Sequence, residues 1–259
     1  MKFSLLPVAA LAFGLGGCVD DNTLSYSIDR MIAFDRAGDA CMPMPGSLVI
    51  ATHGIYDVGL AAQGVGSPGF EEGYQVAPLV VNHLLERTMM GTIETDSIDV
   101  TGFDVQLMPP PDDPRVANAL SSNLKSFFVP RAGGRIPPGS MGNVEIVEVI
   151  SVDLAKAFDA TLSAQNAADR SPTHPLTVHM RPVGKRAGLS INGGYVDYPV
   201  QLCRFCLSQP INPCPPKGFP SGTGINDACL PAQDGSSTCC VDPTGLLLCG
   251  PAVPITTGM

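Results

Sequence analysis

The chain has 259 residues, of which 44% are hydrophobic and only 15% charged, with 28 glycines and 25 prolines. Such a composition excludes a charge-rich disordered chain and favours short strands and many turns over long helices, at a length that fits one large domain or two small ones. The 24 acids against 15 bases leave a net charge of -9, and with no Lys/Arg-rich stretch this argues against nucleic acid or an anionic lipid surface as partner.

Met1 and Lys2 make a short positive start, and Phe3 to Gly17 is an uncharged apolar run ending in small residues, the layout of a secretory signal peptide. The run is short for a membrane-spanning helix, which needs about 20 residues, and no other segment approaches that length. Its end, Leu15-Gly16-Gly17-Cys18, resembles the lipobox of bacterial lipoproteins. The resemblance implies cleavage between Gly17 and Cys18, a diacylglyceryl thioether on the Cys18 sulfur, and a palmitate-type acyl group on the new amino terminus. Two or more such chains hold a protein stably on a membrane, whereas one gives only marginal binding. Val19 follows Cys18 where the enteric pattern for inner-membrane retention has Asp, which favours the outer membrane.

Residues 1–17 are thus expected as signal peptide and residues 18–46 as a lipid-anchored tether. The tether contains one strand-like piece, Tyr26 to Phe34, in which Ile28, Ile32 and Phe34 share a parity. Residues 47–206 read as a β domain. Leu48 to Ala51, Tyr56 to Ala61 and Tyr74 to Leu85 have strand length, broken by Gly54 and by the loop 64–69. Ile98 and Val100, then Phe103, Val105 and Leu107, alternate with polar residues, and the parity changes at Thr101-Gly102, where a bulge or tight turn is expected.

Pro109 to Pro114 is a stiff loop and 130–142 a second one; Leu124 to Val129 and Val144 to Val152 are further strands. The one expected helix runs from Val152 to Ala168, with Leu154, Ala157, Phe158, Thr161 and Leu162 at helical spacing behind a Ser151 cap. Leu176 to Val183 and Gly194 to Cys203 are again strands, with Asn192-Gly193 as a favoured hairpin turn. About eight short strands suggest a β-sandwich, Ig-like first and jelly roll as the alternative.

Residues 207–259 are rich in Cys, Pro and Gly, and too poor in core-sized residues to fold unaided. Besides Cys18 the chain carries Cys41, Cys203, Cys206, Cys214, Cys229, Cys239, Cys240 and Cys249. An even number in an exported chain reads as a disulfide framework whose connectivity the sequence leaves open. Adjacent Cys239 and Cys240 are poorly placed to bond each other. Cys41 would then take a partner from the C-terminal cluster. The competing readings of Cys203-Arg-Phe-Cys206 are a zinc knuckle completed by Cys214 and Cys229, or a redox pair, the latter without a βαβ pattern leading into it.

The lipobox, the strand-rich middle, the strand-end C-x-x-C and the tail with Cys229-Leu-Pro-Ala-Gln-Asp234 and Cys239-Cys240 together resemble a class of envelope lipoproteins of environmental Gram-negative bacteria for which no activity carries over.

A search for catalytic motifs finds none. His53, His83, His174 and His179 form no H-E-x-x-H, and the last two would face opposite sides of one strand. Gly139-Ser140-Met141-Gly142 misses the nucleophile-elbow spacing, and there is no P-loop. Glu94, Asp96, Asp99 and Asp104 lack the EF-hand register and read as a solvated strand face. The expectation is a lipid-anchored envelope protein of structural, adhesive or binding type, with no catalytic residue, cofactor or metal. It would contact the membrane through Cys18 and an envelope protein or surface ligand through its loops. The alternatives are a metal-binding or hydrolytic extracytoplasmic enzyme and an envelope-assembly accessory lipoprotein.

Overall fold

The computed structural model describes residues 25–37, 40–43, 49–62, 73–86, 96–120, 125–131, 133–163, 173–210, 232–241 and 247–249. The chain runs through β1 (Tyr26–Met31), β2 (Phe34–Ala37), β3 (Ala40–Pro43), β4 (Gly54–Asp57), α1 (Val58–Ala62), β5 (Tyr74–Val76) and β6 (Pro78–Asn82). It continues with β7 (Ile98–Met108), α2 (Pro114–Ala119), β8 (Ser126–Pro130), β9 (Arg135–Ile136), β10 (Asn143–Val144), β11 (Val147–Ile150) and α3 (Val152–Ser163). The last elements are β12 (His174–Arg186), β13 (Leu189–Asn192), β14 (Val196–Cys203), β15 (Ser208–Pro210), β16 (Ser237–Val241) and β17 (Leu247–Cys249). The protein is mainly β, with a few short helices.

The largest sheet has the order β4-β14-β12-β7-β8, with β13 and β9 attached to β12 and β7. All its pairs are antiparallel except β4 with β14. Its inner face is legible from the strands themselves: Phe103, Val105 and Leu107 of β7, Leu176, Val178 and Met180 of β12, and Tyr198, Val200 and Leu202 of β14 alternate with outward residues and are buried. The same core takes in Leu154, Ala155 and Phe158 of α3, Val58 and Leu60 of α1, and Tyr26 and Ile28 of β1. A smaller sheet, β1-β6-β10, and the pair β11-β5 complete the scaffold.

Several expectations change for identifiable physical reasons. Tyr56 to Ala61 is not one strand. The extended stretch stops at Asp57, whose carboxylate accepts the N–H of Leu60 at 3.1 Å and so turns the chain into α1. More than one helix is present: α3 lies in the expected place, and α2 follows the Pro-rich loop, started by Pro114 and capped by Asp113 on the N–H of Arg115. Six residues are too few for α2 to show a helical period.

The hairpin turn between β12 and β13 is Ala187-Gly188, both at positive φ, and not Asn192-Gly193. Alanine rarely adopts that conformation, which hides the turn in the sequence. Gly193 instead sits in an irregularity between β13 and β14, with its N–H on Pro182 O at 2.8 Å. The parity change at Thr101-Gly102 is a bulge within β7, since Val183 pairs with Gly102 and Gly184 with Val100. A second bulge, between Ile28 and Arg30, shifts the parity of β1 and buries Met31 together with Ile32. Of the expected strand Leu48 to Ala51, the described residues show an isolated bridge from Ile50 to Ile32.

The described parts of the C-terminal segment form a sheet of their own and reach the main core. Ser208–Pro210, Ser237–Val241 and Leu247–Cys249 form a sheet of order β15-β16-β17, and Ala232 and Cys239 belong to the main core. Residues 211–231, 242–246 and 250–259 lie outside the described residues, as do residues 1–24.

Burial holds four tyrosines in their neutral form: Tyr26, Tyr56 and Tyr74 are pushed well above the ordinary tyrosine value and Tyr198 up to about 12. An unfolded tyrosine ionises near about 10, so between that pH and the folded values the unfolded chain sheds protons that the native state retains. Their contribution is fully present below about pH 10 and is lost as pH rises through the folded values, about 12 for Tyr198 and higher for the other three. Denaturant melts are expected to show this contribution level from pH 8 to about 10 and then falling by up to about 1.4 kcal/mol per pH unit for each tyrosine that stays protonated only when folded.

Candidate functional site

The four residues of β4 join the most distant parts of the sequence. On one edge they pair with β14, in register from Val200 opposite Gly54 to Cys203 opposite Asp57. On the other edge lies the segment 232–234: the Asp57 N–H donates to Ala232 O at 2.8 Å, and the Asp234 N–H donates to Ile55 O at 2.9 Å. Ala232 and Asp234 both have φ near the left-handed region, at 60° and 54°. Non-glycine residues held there mark backbone that its surroundings over-determine, a feature that clusters at functional sites.

Those two turns aim the side chains of Gln233 and Asp234. The Gln233 amide binds Gln75 like a neighbouring strand, accepting from Gln75 N at 2.9 Å and donating to Gln75 O at 2.5 Å. Asp234 Oδ1 accepts the Ile55 N–H at 2.6 Å, and both carboxylate oxygens accept from the Tyr74 hydroxyl at 3.2 Å. Tyr74 is fully buried and its ring lies 5.3 Å from that of Tyr56. It reaches Asp234 across the backbone of Gly54, where a Cβ would occupy the place of the Tyr74 hydroxyl.

A cavity of about 310 Å³ opens at this point. Its polar end is Asp234, Gln233, His53 and Tyr198, and its apolar wall includes Met31, Phe34, Ile50 and Val76. Asp234 is open to solvent as a residue while its carboxylate lies against the tyrosines. Desolvation on that side raises its pKa from the ordinary carboxylate value, against the lowering effect of the Ile55 N–H, Gln233, Tyr74 and the nearby His53. The site therefore offers a hydrogen-bond-accepting, negatively charged end to a small, partly apolar ligand.

At the far end of β4 the side chain of Asp57 is fully buried beside Cys203 and Cys206. Cys203 and Cys206 are joined in a disulfide with a Cα–Cα distance of 5.8 Å. Asp57 and the two sulfurs lie within 4.8 Å of one another, but with both sulfurs committed to the disulfide the trio offers no thiolate pair to a zinc ion. Cys239 and Cys240 are buried and each is disulfide-bonded. Cys18, Cys214 and Cys229 lie outside the described residues, and so do the side chains of Cys41 and Cys249.

The remaining sequence candidates are not brought together. Asp96, Asp99 and Asp104 each face an arginine: Arg186 at 2.5 Å, Arg135 at 3.1 Å and Arg181 at 2.8 Å. Asp96 departs from the expected solvated face and is buried, and Glu94 lies outside the described residues. His174 is buried and donates to Asp113 at 2.5 Å, His179 donates to Asp197 and stacks on Tyr195, and His83 bonds the Ser27 hydroxyl. Desolvation acts to raise Asp113, yet His174 and the Arg115 N–H outweigh it and hold the carboxyl below its usual value.

Of the cavity's polar groups, sequence reasoning weighed only His53 as a candidate ligand, while Gln233 and Asp234 stood out only as part of the segment Cys229 to Asp234. Tyr74 and Asp234 were hidden because Ala232 and Asp234 adopt a conformation that glycine ordinarily signals. Compared with known proteins, the chain matches no family model, no curated protein and no solved structure.

Gly54→Ala is expected to drive the Tyr74 hydroxyl from Asp234 and cost about 1–3 kcal/mol. Tyr74→Phe is expected to cost about 1.5–3 kcal/mol through the lost bond to a charged group. Urea melts of the double variant should show less than the sum of the two, because both changes remove the same contact.

Proposed function

We propose that this protein is a lipid-anchored cell-envelope protein of non-catalytic binding type, held on the outer membrane through acylated Cys18. Its binding site is the cavity between β4, β5 and the segment 232–234. The observation that carries the reading is the cavity's construction: a carboxylate, Asp234, carried on left-handed backbone into a recess of about 310 Å³ whose lining mixes polar and apolar side chains. Such an arrangement suits a small ligand with an apolar body and a hydrogen-bond-donating or cationic head.

The lipobox residues Leu15 to Cys18 support the anchor. The residues between Cys18 and β1 join the anchor to the folded part, in which Met31 to Phe34 already line the cavity that would take the ligand. In the same reading the sheets pack as a sandwich of Ig-like type.

Two measurements test the proposal. Cys18→Ala should move the protein out of the membrane fraction or leave it unprocessed on immunoblots of fractionated cells; unchanged anchoring overturns the lipoprotein reading. A panel of alkyl- and arylammonium compounds, set against carboxylates of the same skeletons, should raise the melting temperature only in the ammonium series. That shift should vanish in Asp234→Asn; equal shifts in both series, or none in either, would remove the cavity as the binding site.

A further inference from the structure

The disulfide Cys203–Cys206 does little of what a structural disulfide does. A bridge stabilises mainly by restricting the unfolded chain, and this effect is smallest for short loops; here the separation is three residues. The turn it closes is already held by other bonds. Asp57 accepts the N–H of Phe205 at 2.7 Å and of Leu207 at 2.9 Å, the Ser208 hydroxyl donates to Phe205 O at 2.7 Å, and Arg204 pairs with Asp159 of α3 at 2.7 Å. Phe205 is held at a φ of 58°, a conformation that a non-glycine residue adopts at a cost.

Access to the two sulfurs is unequal. Cys203 is fully buried at the end of β14, whereas Cys206 is exposed. A thiolate from outside therefore reaches Cys206, and Cys203 is the sulfur that must leave into the protein interior. A thiolate leaving into an apolar surrounding needs a proton. The Asp57 carboxyl lies within 4.8 Å of both sulfurs, and desolvation raises its pKa against the lowering of its backbone N–H bonds. Close by, Arg204 pairs with Asp159 of α3, and Asp57 acts together with Glu148 on the buried Tyr56.

We propose that Cys203–Cys206 is a thiol–disulfide exchange site for an exported protein dithiol, with Cys206 as the sulfur attacked and Asp57 as the group that exchanges a proton with Cys203. In the first step a substrate thiolate forms a bond to Cys206 Sγ, the Cys203–Cys206 bond breaks, and Cys203 leaves with the electron pair and takes the proton of the Asp57 carboxyl. The second substrate thiolate then attacks the substrate sulfur of the mixed disulfide and releases Cys206 as a thiolate. The substrate dithiol is oxidised to a disulfide by two electrons, and the Cys203–Cys206 pair is reduced by the same two. This activity is separate from ligand binding at the Asp234 end of β4.

The test uses the full chain with dithiothreitol as the dithiol and oxidised glutathione as the trapping probe. With graded dithiothreitol, followed by alkylation and peptide mass mapping, Cys203 and Cys206 are expected to become reactive before Cys239 and Cys240, with circular dichroism unchanged. Cys203→Ser should form a stable mixed disulfide with glutathione at Cys206, and Cys206→Ser should not form one at Cys203. Asp57→Asn should slow reduction by about a hundredfold and flatten its dependence on pH. Should Asp57→Asn fail to fold, the order of reduction and the two trapping variants still decide. Reduction of the pair no earlier than the others, unfolding on its reduction, or equal trapping at both cysteines would each overturn the proposal.

Discussion

One buried carboxylate, Asp57, ties together the parts of the chain on which both ends of β4 depend. Its oxygens accept the N–H groups of Leu60, Phe205 and Leu207, and its own N–H donates to Ala232. It therefore starts α1, fixes the turn after β14 and anchors the segment that carries Gln233 and Asp234. A polar group buried this deeply is tolerated only when it is hydrogen-bonded, and without Asp57 each orphaned N–H would cost about 1–3 kcal/mol. The same residue stands beside the exposed disulfide. A structural and a chemical role are compatible here because a carboxylate with several N–H donors is rigidly placed.

From that anchor the rest of the site follows as a chain of constraints. Pairing of β4 with β14 on one edge leaves its other edge open, and residues 232–234 close it. An open edge is a row of unpaired backbone groups, so covering it with a segment from the other end of the chain also protects the sheet. The two left-handed residues that fit this segment to the edge turn Gln233 toward β5 and Asp234 toward the cavity. Gly54 then admits the Tyr74 hydroxyl, and the polar end of the recess is complete.

The charged residues on the outer face of the main sheet serve a different end. Asp99, Asp104 and Asp197 meet Arg135, Arg181 and His179 across neighbouring strands, and the Tyr195 ring stacks on that of His179 and lies 4.7 Å from the Arg181 guanidinium. Exposed pairs of this kind contribute little stability, typically up to about 1 kcal/mol each. They leave the acidic surface without a concentrated field, which suits a face that stays in water.

Much of the scaffold was legible in the sequence because period-two alternation is enforced locally wherever one face of a strand is buried. It placed β7 with its bulge, β12, β14 and the strand-end position of Cys203, and helical spacing placed α3. The lipobox-like run Leu15 to Cys18 and the net charge of -9 are likewise properties of the sequence alone, since they need no packing to be read. The tertiary structure alone decided the rest. The capping of α1 by Asp57, the Ala187-Gly188 turn and the left-handed Ala232 and Asp234 depend on contacts made from other segments, and local propensity points elsewhere at each. The bond from the Ile55 N–H to Asp234, which brings Asp234 to Tyr74 and His53, closes a separation of 179 positions. No short-range pattern records a contact at that separation, because it is fixed by which edge of β4 the returning chain finds unpaired.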